Sequence, residues 1–517
     1  MSAADQAAQP GQAQGTSNAE ALLNALRSML GDAAVLIPSG PDDITLTRYQ
    51  TDWRGRYHGL ALAIVRPAST DQVAATVRLC AQHGASIVPQ GGHTGLVGGG
   101  VPDATGQQIV LSLQRLNRVL SVDAANLSMT VQAGCLLADV QQAADAAGLL
   151  FPLSLASEGS CTIGGNLASN AGGTQVLRYG TARELCLGLE AVTAQGEVWP
   201  GLKSLRKDNT GYDLRNLLIG SEGTLGIITA ACLRLYPKPA SQMAALVACD
   251  SLSACLALLA RCRQQLGARL CGFELMQRYP IELTLRHMPD QAAAARQLIS
   301  AMQGTAAVDT HDLDSATSSS PPAPPWTVLI DASSPGSATD LTCALEDLLV
   351  AALEAGEVQL ACVAQSDSQY KAMWTLRESI PLAEKMEGQM VKHDIAVPTS
   401  RIPEFVAQAE AALQSAFVGS RIVCFGHLGD GNLHYNVQAP AGMSDRAFLQ
   451  AHEHAVNQIV YDIALTLGGT LSAEHGIGQL KRDELAQRQS PVGNAWMRAI
   501  KQALDPAGTL NPNKLLS

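Results

Sequence analysis

Two histidines bracket a tight turn in Gly426-His427-Leu428-Gly429-Asp430-Gly431-Asn432-Leu433-His434-Tyr435-Asn436, and Glu474-His475-Gly476 follows downstream. Asp-Gly between apolar positions is the strongest short-range hairpin signal. If Asp430-Gly431 is the two-residue turn, Gly429 pairs with Asn432, Leu428 with Leu433, and His427 lies opposite His434. Cross-strand Cβ atoms are roughly 4.5–5.5 Å apart, close enough for two imidazoles to share a cation. Glu474 can supply an anionic third ligand and leaves His475 as a base. Two histidines and a carboxylate leave coordination positions open for substrate, as catalytic sites do. The pattern alone equally admits ordinary loop chemistry, because the chain has eleven histidines.

The elements that must position these residues can be read more coarsely. The length of 517 residues predicts two or three domains. With 47% hydrophobic and 16% charged residues, the chain is of the folded globular class. A net charge of −11 argues against nucleic acid as a partner, since phosphate binding needs an excess of Lys and Arg. Twelve cysteines without a Cys-x-x-Cys pair indicate neither a zinc ribbon nor a redox dithiol, and point to free thiols in a reducing compartment. No run is apolar enough to span a bilayer. Residues 1–20 are Ala/Gln/Gly-rich, lack Lys and Arg, and read as a disordered tail; the expected location is cytoplasmic.

Residues 21–56 are expected to be a helical segment joined to the first domain. From Ala61 to Pro237 short strands alternate with helices: Ala61-Val65, Ser86-Val88, Ile109-Leu113 and Met129-Ala133 as strands, Thr70-His83 and Leu137-Ala147 as helices. A second region begins near Lys238-Pro239, with Leu252-Leu266 and Ala338-Ala355 as helices and Thr327-Ala332 and Arg421-Phe425 as strands. Ser315-Pro325 reads as a loop. The overall class is α+β.

Three glycine-rich loops occupy the first region. Pro89-Gln90-Gly91-Gly92-His93-Thr94-Gly95-Leu96-Val97-Gly98-Gly99-Gly100 follows a strand, and such a loop can turn successive N–H groups onto an anion. It has neither the Gly-Lys-Ser/Thr of a Walker loop nor a helix-opening Gly-x-Gly-x-x-Gly, which argues against a nicotinamide site. Gly159-Ser160-Cys161-Thr162-Ile163-Gly164-Gly165-Asn166-Leu167-Ala168-Ser169-Asn170-Ala171-Gly172-Gly173 and Gly220-Ser221-Glu222-Gly223-Thr224-Leu225-Gly226-Ile227-Ile228 add hydroxyls and amides among small residues. That mixture suits close approach of a large planar cofactor.

In this order the loops resemble the vanillyl-alcohol-oxidase (PCMH-type) FAD-binding fold. The C-terminal motifs, Ser472-Ala473-Glu474-His475-Gly476-Ile477-Gly478 among them, resemble the D-2-hydroxyacid dehydrogenase branch of that family. D-lactate dehydrogenase, the glycolate oxidase flavin subunit and D-2-hydroxyglutarate dehydrogenase belong to that branch. The resemblance covers roughly Tyr57 to Leu516, and Leu504-Asp505-Pro506-Ala507-Gly508-Thr509-Leu510-Asn511-Pro512-Asn513-Lys514 is similar to the segment that returns to the flavin.

The resemblance implies a two-subdomain FAD domain over 57–238, a substrate or cap domain with an antiparallel sheet over 239–500, and a return segment over 501–517. It places the FAD pyrophosphate on Gly91, Gly92, His93, Thr94, Gly95 and Leu96, with Pro89 and Asn513 also beside the cofactor. Gly159, Ser160, Gly164, Asn166, Asn170 and Gly172 would line the isoalloxazine and ribityl chain, and Glu222, Gly223 and Ile228 the adenine side. His93 departs from the Asn typical of the D-2-hydroxyglutarate branch; non-covalent FAD is expected, with His93 replacing Asn as a hydrogen-bonding group.

His427, His434 and Glu474 match the branch's ligands for a divalent metal, Zn²⁺ first and Mn²⁺, Co²⁺ or Fe²⁺ as alternatives; His475 matches its general base. Arg377 and Lys392 match the clamp for substrate carboxylates, and Asn436 a substrate or supporting hydrogen-bonder. Without the resemblance, Arg377 and Lys392 read as surface ion-pair residues. Pro381 stands where the branch often has threonine. The implied reaction is hydride transfer from a D-2-hydroxy acid to flavin N5, with D-2-hydroxyglutarate first and D-lactate next. Alternatives are an O₂-using flavin oxidase and an FAD-binding subunit of an electron-transfer assembly. Quinone, electron-transfer flavoprotein and cytochrome remain open as acceptors, and a homodimer is expected by analogy.

Overall fold

The computed structural model describes residues 10–40, 43–302 and 323–516, with side chains described from Asn18. It divides into two units, one of residues 1–171, 181–237 and 474–517 and another of residues 172–180 and 238–473. The chain thus re-enters the first unit at Glu474, earlier than the expected 501, and lends residues 172–180 to the second. Of the tail expected to be disordered, residues 1–9 lie outside the described residues, and from Pro10 the chain is helical, Pro10–Leu30. The expected loop Ser315-Pro325 lies mostly outside them too, with Ala323–Pro325 alone described.

The first unit holds two main sheets. Strands Val35–Leu36, Ala61–Val65, Gln108–Ser112 and Ile87–Gln90 lie in that order, the last three parallel. The helix Thr70–Gln82 follows Ala61–Val65 and starts on Ser69, whose hydroxyl accepts from the Gln72 amide. This N-cap satisfies a donor that has no partner inside the helix. The second sheet is antiparallel, in the order Val119–Asp123, Ser128–Gln132, Ile227–Arg234, Cys186–Val192 and Val198–Gly201. Residues near the C-terminus complete the first sheet: the Ile87 amide donates to the Thr509 carbonyl and the Asn511 amide to the Ile87 carbonyl.

The second unit is built on one antiparallel sheet of eight strands among the described residues. Its centre runs Trp326–Ser334, Leu270–Gln277, Arg421–His427 and Asn432–Gln438, with Asp394–Ala396 paired to the last. The helix Asp367–Glu387 crosses one face, starting on a Ser366 N-cap and ending at Gly388. Met373, Leu376, Ile380 and Ala383 of this helix pack with Leu246, Met276, Leu329 and Phe425 of the sheet. Helical spacing puts those four on one stripe, and the same packing presses Arg377 and Glu384 towards the sheet, where both are buried.

The cysteines are free, and most are buried. Burial pushes the Cys80 thiol up to about 12, so it behaves as a small apolar side chain. Among the described residues no helix is long and apolar enough to cross a membrane.

Candidate active site

In the first unit the glycine-rich loops enclose a cavity. Its walls include Pro89, Gly91, Gly92, His93, Thr94 and Gly95 from the first loop, Gly164 and Asn166 from the second, and Glu222, Gly223 and Ile228 from the third. The loops need glycine because they pack on one another. A Cβ on Gly91 would run into the Thr162 hydroxyl, and one on Gly92 into the Ser160 carbonyl. At Gly95 nothing stands within 4 Å of that position, leaving open space. Walls of backbone and small side chains around such space fit an extended cofactor carrying phosphates and a planar ring system.

Leu96, Gly159, Ser160, Asn170, Gly172 and Asn513 do not line this cavity. Asn170 is structural: at φ +50° its Oδ1 accepts from the Thr181 hydroxyl at 2.8 Å and the Arg183 amide at 3.1 Å. Gly172 lies in the short segment grouped with the second unit. Ser160 donates its hydroxyl to the Ser157 carbonyl. The Asn513 carbonyl accepts from Arg482 Nη1. Gln90, Val97, Thr162 and Ser169, which sequence reasoning passed over, stand in the cavity wall instead.

His93 sits at φ +58° with Nε2 2.8 Å from the Thr51 carbonyl. An imidazole facing a carbonyl must donate, so Nε2 carries the proton and Nδ1 the lone pair. Burial pushes the His93 pKa down, against smaller opposing effects of Thr51 and Asp52, and favours the neutral ring.

Glu222 stands in the cavity wall, and its carboxylate also has partners of its own. Its Oε1 accepts from the Ile477 amide at 2.6 Å and Oε2 from the Gly478 amide at 2.7 Å. Burial raises its pKa, and those two amides work against the rise. The Asn511 side chain donates to the Glu222 carbonyl at 2.8 Å and to the Gly99 carbonyl at 3.0 Å. Glu222 therefore straps the backbone just beyond His475, and His475 itself stands in the cavity wall.

In the second unit the hairpin register differs from the expected one. Phe425 pairs with His434, Gly426 with Leu433 and His427 with Asn432, leaving Leu428–Gly431 as the loop. A two-residue type I′ turn requires positive φ at both central residues. Gly431 has φ +90°, but Asp430 is not among the positive-φ residues. The His427 carbonyl instead accepts from both the Asp430 and Gly431 amides, while Arg263 Nη2 and the Phe273 carbonyl hold Gly429 from outside. His427 and His434 are therefore diagonal rather than opposite. A shift of this kind keeps both on one face of the sheet, and their ring centroids are 6.0 Å apart, edge to face.

Charged groups follow across that face. Glu274 pairs directly with His427, and Asp394 with His434. Glu274, only 1% exposed, accepts from Arg377 Nε at 2.8 Å through Oε2 and lies 2.7 Å from His427 Nδ1 through Oε1. Burial pushes its carboxyl up, but its two partners, His427 and Arg377, outweigh this and hold it below the usual carboxylate range. Arg377 is 6% exposed and stacks over Phe425, so it is no surface ion-pair residue. Among the described residues no hydrogen bond engages its Nη1 or Nη2.

A second buried acid, Glu384, repeats the arrangement. Its Oε2 accepts from Lys392 Nζ at 2.8 Å and its Oε1 from Asn436 Nδ2 at 2.6 Å. Asn436 Oδ1 accepts from the His393 amide at 3.0 Å. Both ends of the Asn436 amide thus bond to protein, which fits the supporting role, for Glu384, of the two roles expected for it. Sequence reasoning missed both glutamates. The available signal was a carboxylate inside the apolar strand Leu270–Gln277 and another on the buried face of a helix.

Glu474 follows Ala473, whose amide donates to the Asp394 carbonyl at 3.2 Å. The chain is therefore tied to the strand that pairs with His434 one residue before Glu474.

Residues 61–200 match a family described as FAD binding domain, and residues 238–515 one described as FAD linked oxidases, C-terminal domain. The chain is 37% identical over 468 residues to the D-2-hydroxyglutarate dehydrogenase, mitochondrial, of Bos taurus, covering 90% of this chain and 78% of the relative. It is 37% identical over 482 residues to the D-2-hydroxyglutarate dehydrogenase of Xanthomonas citri pv. viticola, covering 93% and 94% respectively. Among solved structures, an alkyldihydroxyacetonephosphate synthase aligns at TM-score 0.71 with 17% identity, over 96% of this chain and 85% of that one. Substrate-bound p-cresol methylhydroxylase aligns at TM-score 0.70 with 17% identity, over 96% and 97%. At such identity the structural likeness speaks for the fold, which is of the PCMH type.

Proposed function

The chain belongs to the FAD-linked oxidase family, in its D-2-hydroxyacid dehydrogenase branch, and from that premise we propose that it oxidises D-2-hydroxyglutarate to the 2-oxo acid, with D-lactate as the next substrate. The observation that carries this reading is His475 in the wall of the glycine-lined cavity. A proton acceptor and the space suited to a flavin thus belong to one unit of the fold.

Bound FAD supplies the two-electron acceptor. His427, His434 and Glu474 would hold a divalent metal, which would supply the Lewis acidity that an alcohol needs to ionise near neutral pH. The chain's donors fit that ion. His427 Nδ1 faces a carboxylate, which leaves Nε2 as its ligating atom. Arg377, anchored through Nε, offers its two Nη groups to the substrate's C1 carboxylate as a fork. Lys392, held by Glu384 and half-buried, offers remaining N–H bonds to a second carboxylate, which favours a dicarboxylic substrate over D-lactate. His475 takes the hydroxyl proton as the α C–H leaves as hydride and the C=O forms.

The test is anaerobic bleaching of the flavin spectrum by a panel of D- and L-2-hydroxy acids, before and after chelation. Bleaching by D-2-hydroxyglutarate, lost with chelator and restored by Zn²⁺ or Mn²⁺, is expected. A flavin that no D-acid reduces would overturn the reading. Rapid reoxidation of the bleached flavin by air would favour an oxidase over a dehydrogenase.

A further inference from the structure

We propose that Glu274 is a positioning residue that sets, with one buried carboxylate, which atoms of His427 and Arg377 are presented for metal and substrate. The inference rests on the reading above and deepens it.

The geometry is specific. Oε1 lies 2.7 Å from His427 Nδ1 and Oε2 accepts from Arg377 Nε at 2.8 Å. Each partner is taken by the nitrogen nearer its own backbone. An ionised carboxylate only accepts, so His427 must carry its proton on Nδ1 and keep its lone pair on Nε2, the form that can bind a metal. Arg377 has its Nε occupied, and its outer Nη pair makes no other hydrogen bond among the described residues. The strand pairing Glu274↔His427 fixes the first contact, and the helix Asp367–Glu387 fixes the second. Removing the acid would leave a buried guanidinium with a lost partner and an imidazole without a set tautomer.

Glu274→Gln makes a sharp test because the amide has one permitted orientation. Arg377 can only donate, so the amide oxygen must face Arg377 and the NH₂ must face His427. His427 then has to accept at Nδ1 and protonate Nε2, the opposite tautomer. In the FAD-loaded full-length protein, titrated with Zn²⁺ or Mn²⁺ by calorimetry, the variant should bind metal about 10- to 100-fold more weakly, the range for lost partners of metal-bound histidines. Flavin content should not change.

The unmodified protein gives an independent readout by ¹⁵N-histidine NMR in the metal-free state, with His427 assigned by loss of its signals in His427→Asn. An Nδ1–H tautomer is expected, and an Nε2–H tautomer overturns the proposal even if the glutamine variant fails to fold. Equal metal affinity in Glu274→Gln and parent also overturns it. A parent that binds neither metal ion instead removes the metal from the functional reading, and this inference with it.

Discussion

Arg377 and Glu384 stand seven residues apart on the helix Asp367–Glu387, about two turns, and therefore on one face. Each is buried against a sheet residue of opposite or complementary character: Arg377 on Glu274, and Glu384 on Asn436. One helix thus delivers a cation to one point of the sheet and an anion to another, and the second brings Lys392 with it.

Replacing Arg377 by Lys keeps a charge but loses the planar fork. KM for the 2-hydroxy acid should rise about 10- to 100-fold, the value of one or two hydrogen bonds to a charged group, while kcat changes less. Steady-state kinetics with an artificial acceptor checks this, and an unchanged KM removes Arg377 from the clamp.

On the proposed reading, Lys392 distinguishes diacids from monoacids. Lys392→Met should lower kcat/KM for D-2-hydroxyglutarate about 10-fold or more and alter that for D-lactate little, because only the diacid loses a charged contact. Equal losses on both substrates would assign Lys392 a purely structural duty through Glu384.

His475→Asn should retain the flavin and lower kcat by about 10²–10⁴, the range for a lost general base. Flavin absorbance of the purified variant and turnover under saturating substrate provide the two measurements.

Much of this arrangement follows from signals local in sequence. The glycine loops and the histidine hairpin announced themselves by composition, and their order along the chain carried the fold. The hairpin register was not legible, because tertiary contacts from Arg263 and Phe273 hold the loop in a longer form than Asp430-Gly431 suggests. Glu274 and Glu384 were illegible for another reason. Their partners lie up to 153 residues away, and a single carboxylate in an apolar run carries no indication of what neutralises it. The resemblance implied Glu222 on the adenine side, and its bonds to the amides of Ile477 and Gly478, more than 250 residues away, could not be read locally.

Asp331 bears on stability rather than catalysis. Burial, with Glu274 nearby, pushes its carboxyl up from 3.8 to about 7, although the Tyr370 hydroxyl donates to it at 3.1 Å. Between those pH values the folded chain holds a proton that the unfolded chain has released, so raising pH through this window favours unfolding. Asp331→Asn removes that dependence. Relative to the parent, the variant should gain stability on going from pH 4 to pH 8, by on the order of a few kcal/mol at most. Urea unfolding at the two pH values reads the difference directly, and a parallel pH dependence in both proteins would refute it.

The first unit closes only with residues near the end of the chain, since Thr509 and Asn511 bond to Ile87 and Glu222 holds Ile477 and Gly478. A ribosome releases the glycine loops long before it makes these residues, and the intervening second unit can fold as its own domain in the meantime. The cavity wall containing His475 is therefore assembled only after the second unit has been made, so FAD meets a finished pocket only once the segment beyond that unit has left the ribosome.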